Sequence, residues 1–383
     1  MKSSKSVRLL AVGSALALGA LAGVGPAHAD VPSAISALQT GFTKALADGY
    51  PAAIGMVRSG DTTQYLADGV SDVSTKAPAD PHAQFRIGSN TKAFTATVLL
   101  QLEAEGKLSL DDTVAKWLPN AVDANGYDGT KITIRELLNH TSSLPDYDTS
   151  PTFYNSYASN SEPNRVWAPQ TLVDLALAQH QPTSAPGQTF GYANTNFVLA
   201  GMVIQAVTGN SAATEIQNRI ITPLGLTHTT FPTSDPTLQG DYLHGYEYQN
   251  QLFGLVLQDV TVSNVQAFGS AGAMVSTLDD LATFDRALIG GTLLPPAQEA
   301  ELKTTIPVNA TTRYGLGIGE YQTPCGQWVW THNGSVLGYT STWEISDDGS
   351  KEVLVANNEY HLQAPTQGQT DMSAALDNAF CAL

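Results

Sequence analysis

Apolar side chains recur at two different periods along this chain. Ile35, Leu38, Phe42 and Leu46 fall three to four residues apart, the spacing that lines one helix face, and predict a helix over 33–48. Residues 52–57 and 63–67 are short, largely apolar runs on either side of Ser59-Gly60-Asp61. Runs of that length around turn residues predict a strand pair. Helical spacing returns after Ser89: Phe94, Val98 and Leu102 share a face, and Gly106 supplies a stop just past Glu105. From about 110 to 300 the chain reads as helical segments broken by polar, proline-bearing loops at 144–164 and 181–187. Strand patterning resumes at 314–321, 328–332, 340–345 and 352–356, and a last helix is predicted over about 367–380.

This order of elements predicts an α/β (α+β) fold. An α/β lobe is drawn from about 30–90 and 300–383, with a mostly helical lobe, about 95–300, inserted between. A cleft between two such lobes is a natural place for a pocket.

The first 29 residues stand outside that scheme. Lys2, Lys5 and Arg8 precede an apolar run from 9 to 25, and Ala27-His28-Ala29 offers small residues at a cleavage site. These features predict a secretory signal peptide cut after Ala29, and the apolar run is short for a membrane span. The expectation is an extracellular protein with no membrane association after cleavage. Its loss would make the remaining chain more acidic than the −17 of the whole sequence, which argues against nucleic acid as a partner. Two cysteines, Cys325 and Cys381, are the full complement, and an even count in an exported chain suggests one disulfide. A monomer is the default expectation.

Three short stretches carry candidate chemistry. Ser89 and Lys92 are three residues apart at the start of a predicted helix, so both side chains share one face and the amine can take the hydroxyl proton. The helix N-terminus adds partial positive charge beside a developing oxyanion. Tyr192 and Asn194 form a Tyr-x-Asn element that opens another helical pattern; a loop tyrosine serves as acid or base where cations support it. His332-Asn333-Gly334 ends the apolar strand run Trp328-Val329-Trp330, and a strand-edge glycine permits close approach of a substrate. Gly-x-Ser-x-Gly, His-Glu-x-x-His and Walker-type loops do not occur, so no motif for an α/β-hydrolase, a zincin or a P-loop enzyme is present.

Taken together and in this order, Ser-x-x-Lys, Tyr-x-Asn and His-x-Gly resemble the penicillin-binding serine hydrolases. The similarity is greatest to the soluble exocellular DD-carboxypeptidases, class C β-lactamases and D-aminopeptidases. Residues 137–147 and 186–190, Ser270-Ala271-Gly272 and Tyr314-Gly315-Leu316-Gly317 fit the same pattern, and the two cysteines match the disulfide of the exocellular carboxypeptidase. The resemblance implies a β-lactamase/transpeptidase-like fold, an antiparallel sheet flanked by helices. It implies that Ser89 forms an acyl-enzyme, that Lys92 and Tyr192 share the proton work, and that His332 supports the Tyr192 hydroxyl electrostatically. Asn194 would position Lys92 and substrate, Asn333 and Gly334 would border the substrate, and the N–H groups of Ser89 and Ser335 would form the oxyanion hole. No cofactor or metal is implied.

The third motif departs from the Lys-Thr-Gly of class C β-lactamases. Asn333 replaces a hydroxyl, and 315–321 carries no arginine to hold a terminal carboxylate, with Gly319 in the expected place. A free ammonium suits such a site better, with Glu320 and Asp146 as candidate partners. The expected function is a D-stereospecific peptidase or amidohydrolase acting on small D-aminoacyl substrates. The alternatives are a D-Ala-D-Ala carboxypeptidase of cell-wall peptides, an esterase, a weak β-lactamase, or a non-catalytic binder of penicillin or peptidoglycan.

Overall fold

The computed structural model describes residues 31–251, 254–360 and 366–383; the expected leader, 1–29, lies outside the described residues. Among the described residues nine strands form one antiparallel sheet. They are β1 (Ala52–Ser59), β2 (Thr62–Asp72), β3 (Ala77–Pro78), β4 (Ile306–Pro307), β5 (Thr312–Tyr314), β6 (Gly319–Gln322), β7 (Trp328–Val336), β8 (Tyr339–Ile345) and β9 (Lys351–Asn357). Their order is β3-β2-β1-β9-β8-β7-β6-β5-β4. The two ends of the chain meet at β1 and β9, with Ala53 opposite Asn357 and Ser59 opposite Lys351.

Five helices frame the sheet and the site: α1 (Val31–Ala47), α2 (Thr91–Ala104), α3 (Asn194–Thr208), α4 (Leu278–Ile289) and α5 (Gln367–Ala382). Alternation along the strands feeds two cores. Val329, Val353, Val355, Ala53 and Val57 join α1 and α5 on one face. Trp330, Val336, Trp343, Leu354 and Ile54 join the larger core with α2 and α4 on the other. Residues 366–369 open α5 with a capping box, in which Thr366 accepts from the Gln369 N–H and Gln369 from the Thr366 N–H. The disulfide joins Cys325, in the β6–β7 turn, to Cys381 at the end of α5.

Three expectations change. α2 is buried around nearly its whole circumference, not on one face, because it runs through the centre of the molecule; Thr95 and Thr97 reach backbone carbonyls at 2.8 Å and 2.7 Å. The stretch read as one strand, 314–321, breaks at Gly315–Gly317, where the chain turns to bond Leu302 and Leu138 carbonyls. The middle of the chain is also not purely helical. Tyr246–Gln251 and Gly254–Asp259 form a hairpin, and Phe85–Arg86 pairs with Val275–Ser276. That second pairing anchors the segment entering Ser89. No single helix among the described residues is long and apolar enough to cross a membrane.

Candidate active site

Ser89 lies in a single helical turn, Gly88–Asn90, that runs directly into α2. Two glycines let this turn press against β7. Gly88 has φ 51°, and a Cβ there would lie 2.7 Å from the Ser335 nitrogen; a Cβ on Gly334 would lie 1.8 Å from the Ile87 oxygen. Any side chain at either position would push the nucleophile turn away from the strand. Asn90 fastens the turn by donating to the Ile87 carbonyl and to Ser341 Oγ on β8, each at 2.9 Å.

One turn later, Lys92 is fully buried. Its Nζ donates to Ser89 Oγ at 2.9 Å, Asn194 Oδ1 at 2.7 Å and the Ala271 carbonyl at 2.8 Å. Burial lowers its pKa to about 7, while the negative charges of Asp146 and Asp148 oppose that fall. Asn194, the first residue of α3, turns its other side to these carboxylates. Its Nδ2 donates to Asp146 at 3.1 Å and Asp148 at 3.0 Å, and its backbone N–H donates to Asp146 at 2.7 Å. Burial and mutual repulsion push Asp146 above the usual carboxylate range, and burial does the same to Asp148.

Tyr192 sits over this pair, with Lys92 Nζ 4.8 Å from its ring centroid and a hydrogen bond between its hydroxyl and Ser89. Desolvation of the hydroxyl, with Asp146 and Asp148, holds its pKa well above the ordinary phenol value despite the bond to Ser89. Tyr192 therefore stays a neutral phenol where Lys92 titrates. His140 forms the wall behind it. Its ring lies 4.2 Å from that of Tyr192, and its Nδ1 accepts from the Ala193 N–H at 3.2 Å and Asn196 Nδ2 at 3.0 Å.

His332 reaches the same cluster but not the expected partner. Its Nδ1 bonds the Asn333 carbonyl at 2.7 Å and its Nε2 bonds the Tyr314 hydroxyl at 3.0 Å. A carbonyl only accepts, so Nδ1 carries the proton and Nε2 accepts from Tyr314. Burial and the nearby Lys92 charge lower its pKa to about 3. His332 is neutral, and its hydrogen bond goes to Tyr314, not Tyr192.

A cavity of about 190 Å³ opens onto Ser89. Asp148, Asn194 and Ser335 line it with a wall of Phe153, Tyr154, Tyr157, Phe268 and Tyr360. The structure thus brings together Ser89, Lys92, Tyr192, Asn194 and Ser335, with Gly334 closing the turn. It withdraws two expected contacts. Glu320 is committed to Arg313 at 3.0 Å, outside the cavity. Asn333 is exposed on the α5 side of β7, beside Thr342, Asn357 and Gln369, because alternation along the strand turns it opposite to His332. Asp146 is near the site but turned to Asn194; the acid that reaches the cavity is Asp148. Sequence reasoning missed Asp148, although its spacing of two from Asp146 was visible. It also missed the aromatic wall, assembled from three separate segments with no common motif.

Fold and site together define a serine hydrolase built on the β-lactamase fold. A family model described as Beta-lactamase matches residues 43–365, and the chain belongs to that family. It is 27% identical over 313 residues to penicillin-binding protein 4* of Bacillus subtilis (strain 168), covering 78% of this chain. The chain spans 66% of that curated relative's length. Among solved structures, a D-stereospecific amidohydrolase from Streptomyces sp. aligns with TM-score 0.83 and 37% identity, over 91% of this chain and 99% of that one. The D-amino acid amidase of Ochrobactrum anthropi SV3 with D-phenylalanine aligns with TM-score 0.80 and 25% identity, over 91% and 98%.

Proposed function

We propose that this protein is an exported hydrolase that forms an acyl-enzyme at Ser89 and acts on D-aminoacyl amides and short peptides whose amine is free. The observation that carries the substrate class is Asp148. Among the described residues it is the only charged side chain lining the Ser89 cavity. A substrate ammonium finds a partner there, whereas a terminal carboxylate finds none and meets a like charge. The aromatic wall suits an apolar side chain on the same acyl group. The names of the two aligned enzymes, a D-stereospecific amidohydrolase and a D-amino acid amidase, support the stereochemistry.

In this scheme Ser89 Oγ attacks the amide carbon as its proton passes to neutral Lys92 Nζ, 2.9 Å away. The Ser89 and Ser335 N–H groups receive the oxyanion; the tight packing of the Gly88 turn against Ser335, where a Cβ on Gly88 would lie 2.7 Å from the Ser335 nitrogen, supports this pairing. The Lys92 proton returns through the Tyr192 hydroxyl to the leaving nitrogen, the C–N bond breaks, and water then cleaves the ester by the same groups in reverse.

Hydrolysis of D-phenylalanine amide, its L-enantiomer, its N-acetyl form and an N-acylated D-Ala-D-Ala peptide tests the substrate class. The free D-amide should be cleaved fastest. Cleavage of the acylated dipeptide alone would make the protein a carboxypeptidase and overturn the proposal.

A further inference from the structure

The hydrogen bonds around Asn194 run in one direction. Its Oδ1 faces the Lys92 ammonium, and its Nδ2 is shared between Asp146 and Asp148. A flipped amide would set Nδ2 against Nζ, donor against donor, and a carbonyl against two carboxylates. The carboxylates therefore fix which way this amide points. Lys92 itself has three acceptors for three N–H bonds, Ser89 Oγ, Asn194 Oδ1 and the Ala271 carbonyl, and among the described residues no carboxylate pairs with it. The negative charge that balances a buried Lys92 ammonium lies one amide away.

The two acids have different surroundings. Asp148 lines the Ser89 cavity; Asp146 does not. Asp146 instead binds both the side chain and the backbone N–H of Asn194. We infer that Asp146 is a positioning residue acting through Asn194: it holds the amide oxygen on Lys92 and supplies the charge that stabilises the ammonium formed when Ser89 gives up its proton. This extends the proposed reaction and rests on Lys92 being the proton acceptor there.

The other groups facing Lys92 leave that role to the two acids. His140 and His332 are held neutral by burial, and the charge on Lys92 lowers both further. Burial keeps the Tyr192, Tyr147 and Tyr314 phenols protonated. Asp148 remains as the second negative group and keeps part of the effect when Asp146 is changed. With a negative charge nearby, an amine holds its proton to higher pH. Removing that charge must move the limb of kcat/KM that reports Lys92 deprotonation toward lower pH.

Asp146→Asn keeps an oxygen acceptor and removes the charge, and Asp146→Glu keeps the charge. The pH dependence of kcat and KM for D-phenylalanine amide is measured for both and for the full wild-type chain. Asp146→Asn should shift the acid limb downward by roughly one pH unit and lower kcat about tenfold with KM within a factor of about three, and Asp146→Glu should restore the wild-type limb. An unmoved limb in Asp146→Asn would overturn the inference. If that variant does not fold, Asp146→Ser, which also keeps an acceptor oxygen, is read by the same criterion. The temperature dependence of the wild-type limb separates the two levels. An amine's ionisation is strongly endothermic and a carboxyl's is not. A carboxyl-like limb would remove Lys92 as base, whereas an amine-like limb unmoved in Asp146→Asn would overturn only the role of Asp146.

Discussion

If Asp148 recognises the substrate amine as proposed, replacing it with asparagine should remove the preference for free over acylated amines. Asp148 lies on the wall of the Ser89 cavity, and among the described residues no basic side chain pairs with it; it accepts from Asn194 Nδ2 at 3.0 Å, and its own N–H donates to the Asp146 carboxylate. A charged hydrogen bond to a substrate ammonium contributes about 1.5–3 kcal/mol, and Asp148 is only half-buried, so the lower part of that range applies. The asparagine variant should therefore lose about 10- to 30-fold in kcat/KM on D-phenylalanine amide. The bond to Asn194 complicates a single measurement, because weakening it would slow every substrate. The ratio of free to N-acetylated D-phenylalanine amide removes that complication, since both substrates need Asn194 and only one carries an ammonium. Ammonia release measured on both, for wild type and variant, gives the ratio directly. An equal fall on both substrates would mean that Asp148 acts only through Asn194, and the assignment of amine recognition to it would be refuted.

Four other outcomes follow from the geometry. With Lys92 titrating at about 7, kcat/KM should climb through neutral pH, and Lys92→Arg, which cannot give up its proton, should abolish turnover while leaving thermal unfolding near wild type. Gly88→Ala should cost about a hundredfold in kcat, since its Cβ would sit 2.7 Å from the Ser335 nitrogen; steady-state kinetics beside circular dichroism would separate this from unfolding. Removing the Cys325–Cys381 bridge as the double serine variant should cost up to roughly 4 kcal/mol for its sequence separation of 56, read by urea denaturation. Glu344 on β8 and Asp377 on α5 share a hydrogen bond; burial raises both, the Asp377 charge raises Glu344 further, and the bond to Glu344 partly offsets the rise at Asp377. The folded protein thus holds a proton that the unfolded chain has released, and its contribution is full at acid pH and lost as pH rises through the raised folded values. The melting temperature should fall on the alkaline side, and Glu344→Gln should flatten that fall.

Much of this was legible in the sequence, and the rest was hidden for physical reasons. The helix opening at Ser89, the strands on both chain ends and the order of Ser89, Lys92, Tyr192 and His332 can be read because each depends on local periodicity or on short spacing. The partner of His332 cannot, because it depends on where Tyr314 on β5 sits across β6 from β7. Asn333 was misplaced because the strand runs on past His332 to Val336, and its alternation sends adjacent residues to opposite faces. Residues 315–321 carry no arginine, and Arg313, two residues earlier, is paired with Glu320. The acid that lines the Ser89 cavity comes from another segment altogether, at Asp148.

The central claim is that Ser89 is the acylated nucleophile. Intact-mass spectrometry of protein quenched during turnover of a D-phenylalanine ester, or after incubation with a penicillin, tests it most directly. The expected result is one acyl adduct, mapped by peptide fragmentation to Ser89 and missing from Ser89→Ala, which should also be inactive. An adduct on another residue, or undiminished hydrolysis by Ser89→Ala, would contradict it.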